Sequence, residues 1–300
     1  MINLGSLCID RVFSVDHVAR GGETILAADV QVFAGGKGLN QSLAARRAGA
    51  EVLHVGCIGD DGEFLRTLLN DEGVDNAFVR TIAGQPTGNA MIQVTARGEN
   101  AIVIVGGANR LLTRADFEHA LAAAGPQDWL LLQNEINDLD VVLRVAAARG
   151  LRTCLNFAPC DDRGSRYPFE GVALLVVNEI EAEGITACAD PQAALFTLRQ
   201  KRCPNGIVVV TLGEQGLLYA ADGAIKSLPA FTVQAIDGTG AGDAFIGFLL
   251  AALLQDASLE DALISASAAG AITASRLGAA PAIPTAAEVS AFMRDRVATG

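Results

Sequence analysis

Apolar positions along the chain keep switching between two periods. From Leu39 to Gly49, Leu39, Leu43, Ala44 and Ala48 fall near helical spacing and Gly49 closes the run, which predicts a helix. Glu51 to Ile58 follows as a short apolar strand bounded by Gly59-Asp60-Asp61-Gly62. Residues 63–70 are amphipathic again through Phe64, Leu65, Leu68 and Leu69. The same alternation predicts helices over 138–149 and 191–202 and strands over 151–157, 172–177 and 207–212. Further strands are expected at Trp129–Leu132 and in the first residues. Strands separated by helix-length segments make an α/β sheet with crossover helices.

Two stretches break the rhythm. Residues 89–105 place Asn-Ala-Met-Ile-Gln-Val-Thr-Ala and Ala-Ile-Val-Ile-Val on either side of Arg97-Gly98-Glu99-Asn100, a β-hairpin with no helix between its strands. Residues 11–34 also lack helical period and carry Val12, Phe13, Val15, Val30, Val32 and Phe33. Two arrangements satisfy this pattern: antiparallel additions to one edge of the main sheet, or a small separate sheet built from both excursions and serving as a lid. No fixed-period repeat, low-complexity tract or long polar linker divides the chain.

Composition narrows the function classes. With 300 residues, 51% hydrophobic and a mean hydropathy of +0.34, the chain is apolar enough to raise the question of a membrane. Its longest apolar run, Ala244–Leu254, has 11 residues, short of the roughly 20 that cross a bilayer as a helix. The net charge of −12 and a pI near 4.7 disfavour binding driven by nucleic-acid phosphates or anionic lipid. Only Lys37, Lys201 and Lys226 supply lysine, so an anionic small molecule would need local donors. Cysteines at 8, 57, 154, 160, 188 and 203 form no Cys-x-x-Cys pair and alternate with no histidine at metal spacing. Neither a zinc site nor a disulfide framework is indicated, and a reducing cytoplasm is the expected compartment.

The chemistry concentrates in glycine-rich turns that precede helices. Asp237-Gly238-Thr239-Gly240-Ala241-Gly242-Asp243 runs straight into the apolar helix at Ala244. Its glycines allow close backbone approach, and a helix start offers unpaired N–H groups and the positive end of a dipole, which together make an anion site. Asp243 then has two readings. It is either an N-cap, stabilising the helix by about 1 kcal/mol, or a carboxylate that takes a proton from a hydroxyl while the N–H groups hold the phosphoryl group under attack. The Walker pattern fails because Gly38 follows Lys37, and the dinucleotide fingerprint fails in both registers because Asp243 or Phe245 stands at its sixth position.

Gly35-Gly36-Lys37-Gly38-Leu39-Asn40-Gln41 repeats the glycine-before-helix design, with Asn40 and Gln41 amides on the first turn, able to meet a polyhydroxylated ligand. Asp10 lies just past the first strand, in the region where open α/β sheets bind ligands. Asn178-Glu179-Ile180-Glu181 follows the strand at 172–177, where carboxylate plus amide suits Mg²⁺ held through waters. Thr211-Leu212-Gly213-Glu214-Gln215-Gly216 is a turn that could seat phosphates or ribose, or simply form a hairpin.

In chain order the segments GGKGLNQ, NEIEAE, TLGEQG and DGTGAGDAF resemble the motif series of the ribokinase or PfkB family of carbohydrate kinases. The likeness extends from LGSLCID to RLGAAPAIP and is closest to ribokinases. It implies a ribokinase-like three-layer α/β/α sandwich with a mostly parallel central sheet, one kinase domain over 1–300. A small β-sheet lid would be formed by about 11–34 and 86–107 and would carry a homodimer contact. The implied reaction is ATP-dependent transfer of the γ-phosphate to a primary hydroxyl of a small sugar, with ribose the leading candidate. Asp243 would be the general base, and the backbone of Gly240, Ala241 and Gly242 the anion hole. By the same resemblance Asp10, Gly36, Lys37, Asn40 and Glu135 contact sugar, while Asn178, Thr211, Gly213 and Gly216 belong to the nucleotide. Glu181 would support Mg²⁺ through water. Asp237, Thr239 and the loop holding Arg276 and Gly278 would seat a monovalent cation, usually K⁺.

Two departures accompany the likeness. Cys8 stands where ribokinases usually carry Asn, and Gly238 where Thr or Ser is common. Fructose, a keto-deoxy sugar acid or a nucleoside are therefore alternative substrates, with Asn89 a polar group that could partly replace what Cys8 removes. A non-catalytic sugar or nucleotide sensor is the rival outside the enzyme class.

Overall fold

A three-residue strand, Ile2–Leu4 (β1), stands inside a nine-stranded sheet. The structure is a computed structural model that describes residues 1–122, 124, 125, 127–161 and 166–297. After β1 the chain forms Cys8–Val15 (β2) and Asp29–Gly35 (β3), then helix Lys37–Arg47 (α1), and returns to the sheet as Leu53–Gly59 (β4). Glu63–Asp71 (α2) leads to Asp75–Ile82 (β5), and a second departure makes Gly88–Thr95 (β6) and Asn100–Val105 (β7). Next come Arg114–Ala122 (α3), Trp129–Gln133 (β8), Leu139–Ala148 (α4), Arg152–Asn156 (β9), Leu174–Asn178 (β10), Glu179–Thr186 (α5) and Pro191–Thr197 (α6). Ile207–Thr211 (β11), Leu217–Ala221 (β12), Ala224–Leu228 (β13), Ala241–Leu254 (α7), Leu259–Ala274 (α8) and Ala286–Val297 (α9) complete the described elements.

The large sheet has the order β13-β12-β11-β10-β9-β8-β1-β4-β5. Every pair from β5 across to β11 is parallel, and β12 and β13 are added antiparallel at one edge. The chain grows outward from β1 through β4 and β5, then crosses to the other side to lay down β8. Such a reversal opens a crevice at the carboxyl ends of the strands. Alternate strand residues bury on opposite faces: Leu174, Val176 and Val209 pack toward α1, α2, α7 and α8, whereas Leu175, Val177, Val208 and Val210 pack toward α3 to α6. Both faces are covered, which is why these strands read as continuous apolar runs rather than alternating ones.

The two excursions form their own four-stranded sheet, ordered β3-β2-β6-β7, with β2 and β6 parallel. They are not edge additions to the main sheet. The separate sheet is rooted where Asn109 accepts from the Leu7 N–H at 3.0 Å and donates to the Leu7 carbonyl at 2.9 Å, beside the start of β6 at Gly88.

The expected helix over 191–202 divides: α6 ends at Thr197 and Leu198–Arg202 continues as a wider π-helical turn. Three close approaches position the site. A Cβ on Gly38 would lie 2.3 Å from the Ser6 nitrogen, so only glycine lets α1 start against the end of β1. A Cβ on Gly5 would meet the Gln133 side chain at 2.4 Å, and one on Gly247 would meet the Ala44 Cβ at 2.4 Å, so α7 crosses α1 at contact distance.

Candidate active site

The crevice is a cavity of about 400 Å³ bounded by the strand ends of the large sheet, the first turns of α1 and α7, and one face of the small sheet. Asp10, Gly36, Lys37, Asn40 and Glu135 line one part of it. Asn178, Glu181, Thr211, Thr239, Gly240, Gly242 and Asp243 line another. Ala90, Ile92, Ile102 and Ile104 of the small sheet cover it from above. Gly213 and Gly216 are not among the lining residues. They belong to the turn that joins β11 to antiparallel β12, and of this segment Thr211 lines the cavity.

Asp243 is the third residue of α7, whose N-cap is Gly240 at φ 77°, and it makes no capping bond. The N-cap reading is thereby overturned: a carboxylate at that position is free to face the cavity. It is 7% exposed and held from two sides, with Asn40 Nδ2 donating to Oδ2 at 2.9 Å and Gln41 Nε2 donating to Oδ1 at 2.8 Å. Of the backbone groups expected to form an anion hole, the Ala241 N–H is engaged by the Gly238 carbonyl at 3.2 Å. The N–H groups of Gly240, Gly242 and Asp243 find no acceptor among the described residues, which leaves them as the unpaired donors of this helix start.

On the opposite wall, Glu135 Oε2 accepts from the Ser6 hydroxyl and from the Lys37 N–H at 3.0 Å, leaving Oε1 for a ligand. Asn40 Oδ1 is buried and unpartnered among the described residues, an acceptor that a hydroxyl would satisfy. Burial, together with the charges of Glu135 and Asp243, raises Asp10 to about 6. Burial works against the Lys37 ammonium, but Asp243, Glu135 and Glu181 outweigh it and hold the group charged, above its ordinary range. Cys8 presents a thiol whose ionisation is pushed well up by burial and by Glu135 and Asp10; its Sγ is met by Asn109 Nδ2 at 3.5 Å.

A family model described as pfkB family carbohydrate kinase matches residues 2–286. The chain belongs to this family. It is 35% identical to the ribokinase of Haemophilus influenzae over 298 residues, covering 97% of each chain. Its fold matches the crystal structure of ribokinase from Cryptococcus neoformans in complex with ADP, at 32% identity and a TM-score of 0.86, over 97% of this chain and 98% of that one. It also matches Arabidopsis thaliana ribokinase complexed with ribose and ATP, at 27% identity and a TM-score of 0.85, over 98% of each chain.

Asn178 and Glu181 close a capping box: Asn178 Oδ1 accepts the Glu181 N–H at 2.8 Å and Glu181 Oε2 accepts the Asn178 N–H at 2.9 Å. One amide NH₂ and one carboxylate oxygen remain for the cavity. Burial raises Glu181 above the usual carboxylate range, with Asp243 adding to it. Among the described residues no cluster of three or more His, Cys, Asp or Glu is placed to cage a metal. A single acid suits Mg²⁺ carried by phosphates and waters.

Asp237, Thr239, Arg276 and Gly278 gather at one corner. Asp237 Oδ1 accepts from Thr239 N–H at 2.9 Å and Oγ1 at 2.6 Å, and Oδ2 accepts from Gly278 N–H at 2.9 Å. These bonds outweigh partial burial and keep Asp237 below the usual carboxylate range. Arg276 turns its guanidinium away to Glu288, so only its backbone is left for this corner. The Asp237 carboxylate and the Thr239 hydroxyl are the side-chain oxygens of this corner, and Gly238 adds none.

Gln41, expected to meet ligand, is instead fully buried behind Asp243. Asn156, which lines the cavity at the end of β9, was not singled out by sequence, nor were Asn3 and Gln133. Their positions within apolar strands are the only signal they carry. No helix among the described residues is long and apolar enough to cross a membrane.

Proposed function

We propose that this carbohydrate kinase is an ATP-dependent ribose kinase. The observation that carries the proposal is the Asp243 carboxylate, clasped by Asn40 and Gln41, beside free N–H groups at the start of α7 and lining the cavity. The sugar lies against Asp10, Gly36, Lys37, Asn40 and Glu135, and ATP enters along Asn178, Thr211 and the 238–242 turn. Asp243 takes the proton of the primary hydroxyl, whose oxygen bonds the γ-phosphorus as the bond to the bridging oxygen breaks and ADP leaves. The Gly240, Gly242 and Asp243 amides and the Lys37 ammonium stabilise the charge that spreads over the transferred group. Glu181 would help hold a nucleotide-bound Mg²⁺, which would supply further charge neutralisation there. The small sheet serves as a lid that excludes water, and the protein works in the cytoplasm as a homodimer joined through that lid.

Asp243→Asn is expected to lower kcat by at least 10³-fold with KM for both substrates within a few-fold; near-normal turnover would remove Asp243 as the base. An ADP-release assay over ribose, fructose, a keto-deoxy sugar acid and nucleosides identifies the acceptor. The panel is broad because Cys8 offers a thiol where an amide would bond a hydroxyl. Ligand binding without ADP formation would instead make the protein a sensor. For the cation corner, replacing K⁺ by a bulky organic cation is expected to lower kcat, and unchanged turnover would dismiss that site.

A further inference from the structure

Behind the Asp243 carboxylate lies a chain of amide side chains that the reaction as described does not use. Gln41 Nε2 donates both to Asp243 Oδ1 at 2.8 Å and to Asn156 Oδ1 at 3.0 Å, while Gln41 Oε1 accepts from Gln133 Nε2 at 2.7 Å. Gln133 Nε2 also donates to Asn3 Oδ1 at 3.0 Å, and Asn3 Nδ2 donates to the Gly38 carbonyl and to Ser42 Oγ, each at 2.8 Å. Asn3, Gln41, Ser42 and Gln133 are all completely buried. We infer that Gln41 is a positioning residue whose orientation, set by this amide relay, aims a permanent donor at the base.

The direction of the relay follows from its ends. Asn156 Nδ2 is committed to the Val176 carbonyl at 3.1 Å, so Asn156 must turn its oxygen toward Gln41. Asn3 Nδ2 is committed to the Gly38 carbonyl, so Asn3 must turn its oxygen toward Gln133. A backbone carbonyl cannot donate, and both anchors therefore exclude the reversed amides. Between them Gln133 can only present NH₂, although this leaves its own Oε1 buried and without a partner among the described residues. Gln41 in turn can only present oxygen to Gln133 and NH₂ to Asp243. A flipped Gln41 would set its oxygen against a carboxylate and lose all three bonds.

The chemical consequence concerns geometry. Asn40 Nδ2 grips one carboxylate oxygen of Asp243 and Gln41 the other, which fixes the carboxylate plane toward the cavity before any sugar arrives. Asn40 also lines the cavity and faces ligand, whereas Gln41 does not. Substitution at Gln41 therefore separates orientation of the base from sugar binding.

The inference rests on Asp243 being the base, and its test keeps the two apart. Gln41→Met, nearly isosteric but without donors, is expected to lower kcat about 10- to 100-fold, the weight of a lost hydrogen bond to a charged group, with KM for the sugar changed less than threefold. In an Asp243→Asn background the same substitution is expected to leave the residual kcat unchanged, because no carboxylate remains to be aimed. Ser42→Ala, which removes a group outside the path from Gly38 to Asp243, is expected to lower the melting temperature while leaving kcat as it was. If Gln41→Met does not fold, Gln133→Met tests the same donor chain one step back. Wild-type kcat in these variants, an equal loss in both backgrounds, or an equal loss in Ser42→Ala would overturn the inference. Near-normal turnover of Asp243→Asn alone would overturn the base assignment instead.

Discussion

Asp10 shows how one residue ties binding to stability. It sits in β2 at the mouth of the cavity, where burial and the charges of Glu135 and Asp243 raise its pKa from 3.8 to about 6. The folded protein thus holds this proton more tightly than the unfolded chain does. The associated stability is fully present below about 3.8 and is lost as pH rises through about 6. At pH 8 Asp10→Asn is expected to stabilise the free protein by about 1–3 kcal/mol, shrinking toward zero near pH 4. Urea unfolding of both proteins at the two pH values measures this. The carboxylate is also the form that accepts bonds from two hydroxyls, so KM for the sugar is expected to rise as pH falls below about 6. A flat KM from pH 8 to 5 would remove Asp10 from the sugar wall. Local sequence pointed to Asp10 through its place after a strand, but its neighbours Glu135 and Asp243 are distant in the chain, and the shift was invisible until they met.

At the scale of elements the site depends on how α1 and α7 cross. Both helices begin at glycine-rich turns, and sequence located both. Their crossing at Ala44 and Gly247 was not legible, because a glycine inside an apolar helix looks like any small core residue. Gly247 lies one helical turn after Asp243. Gly247→Ala is expected to push α7 away from α1, lowering stability by about 1–3 kcal/mol through overpacking. It should also reduce kcat more than KM, since Asn40 and Gln41 then lose their distance to Asp243. Thermal unfolding and steady-state kinetics check both effects, and a stable, fully active variant would show that the crossing has slack. The strands were legible where both faces are buried; β5 and β13, at the two edges of the sheet, carry weaker apolar signals and escaped notice.

For the whole molecule the open question is the outer face of the small sheet. Strand alternation sends Ile102 and Ile104 toward the cavity and leaves Met91 and Val103, paired across β6 and β7, on the other side with Val32. Val32 is 56%, Met91 48% and Val103 57% exposed, a row of apolar side chains crossed by Arg11 of β2. The proposed homodimer would cover it. Sedimentation is expected to show a dimer that Val103→Lys combined with Val32→Asp converts to monomers. A wild-type monomer at micromolar concentration would refute this. The net charge of −12 makes the cavity's local donors necessary for holding ATP: Lys37 and the α7 amides stand where the long-range field is unfavourable.

Sequence alone determined the layered α/β architecture, the two glycine turns and most of the polar residues that line the cavity, because periodicity, glycine placement and motif order are local properties. Apolar alternation could not choose between an edge addition and a separate small sheet, since strand pairing is non-local and the same alternation serves both; the motif resemblance alone pointed to the separate sheet. Nor could the local pattern tell whether Asp243 caps a helix or faces a substrate, which depends on where the helix starts within a run of glycines. The three-dimensional structure decided that Gln41 is buried behind the Asp243 carboxylate while Asn40, bonded to the same carboxylate, also lines the cavity. The two amides are adjacent in sequence and chemically alike, and only the helix phase against the buried carbonyls of Gly38 and Val176 separates their tasks.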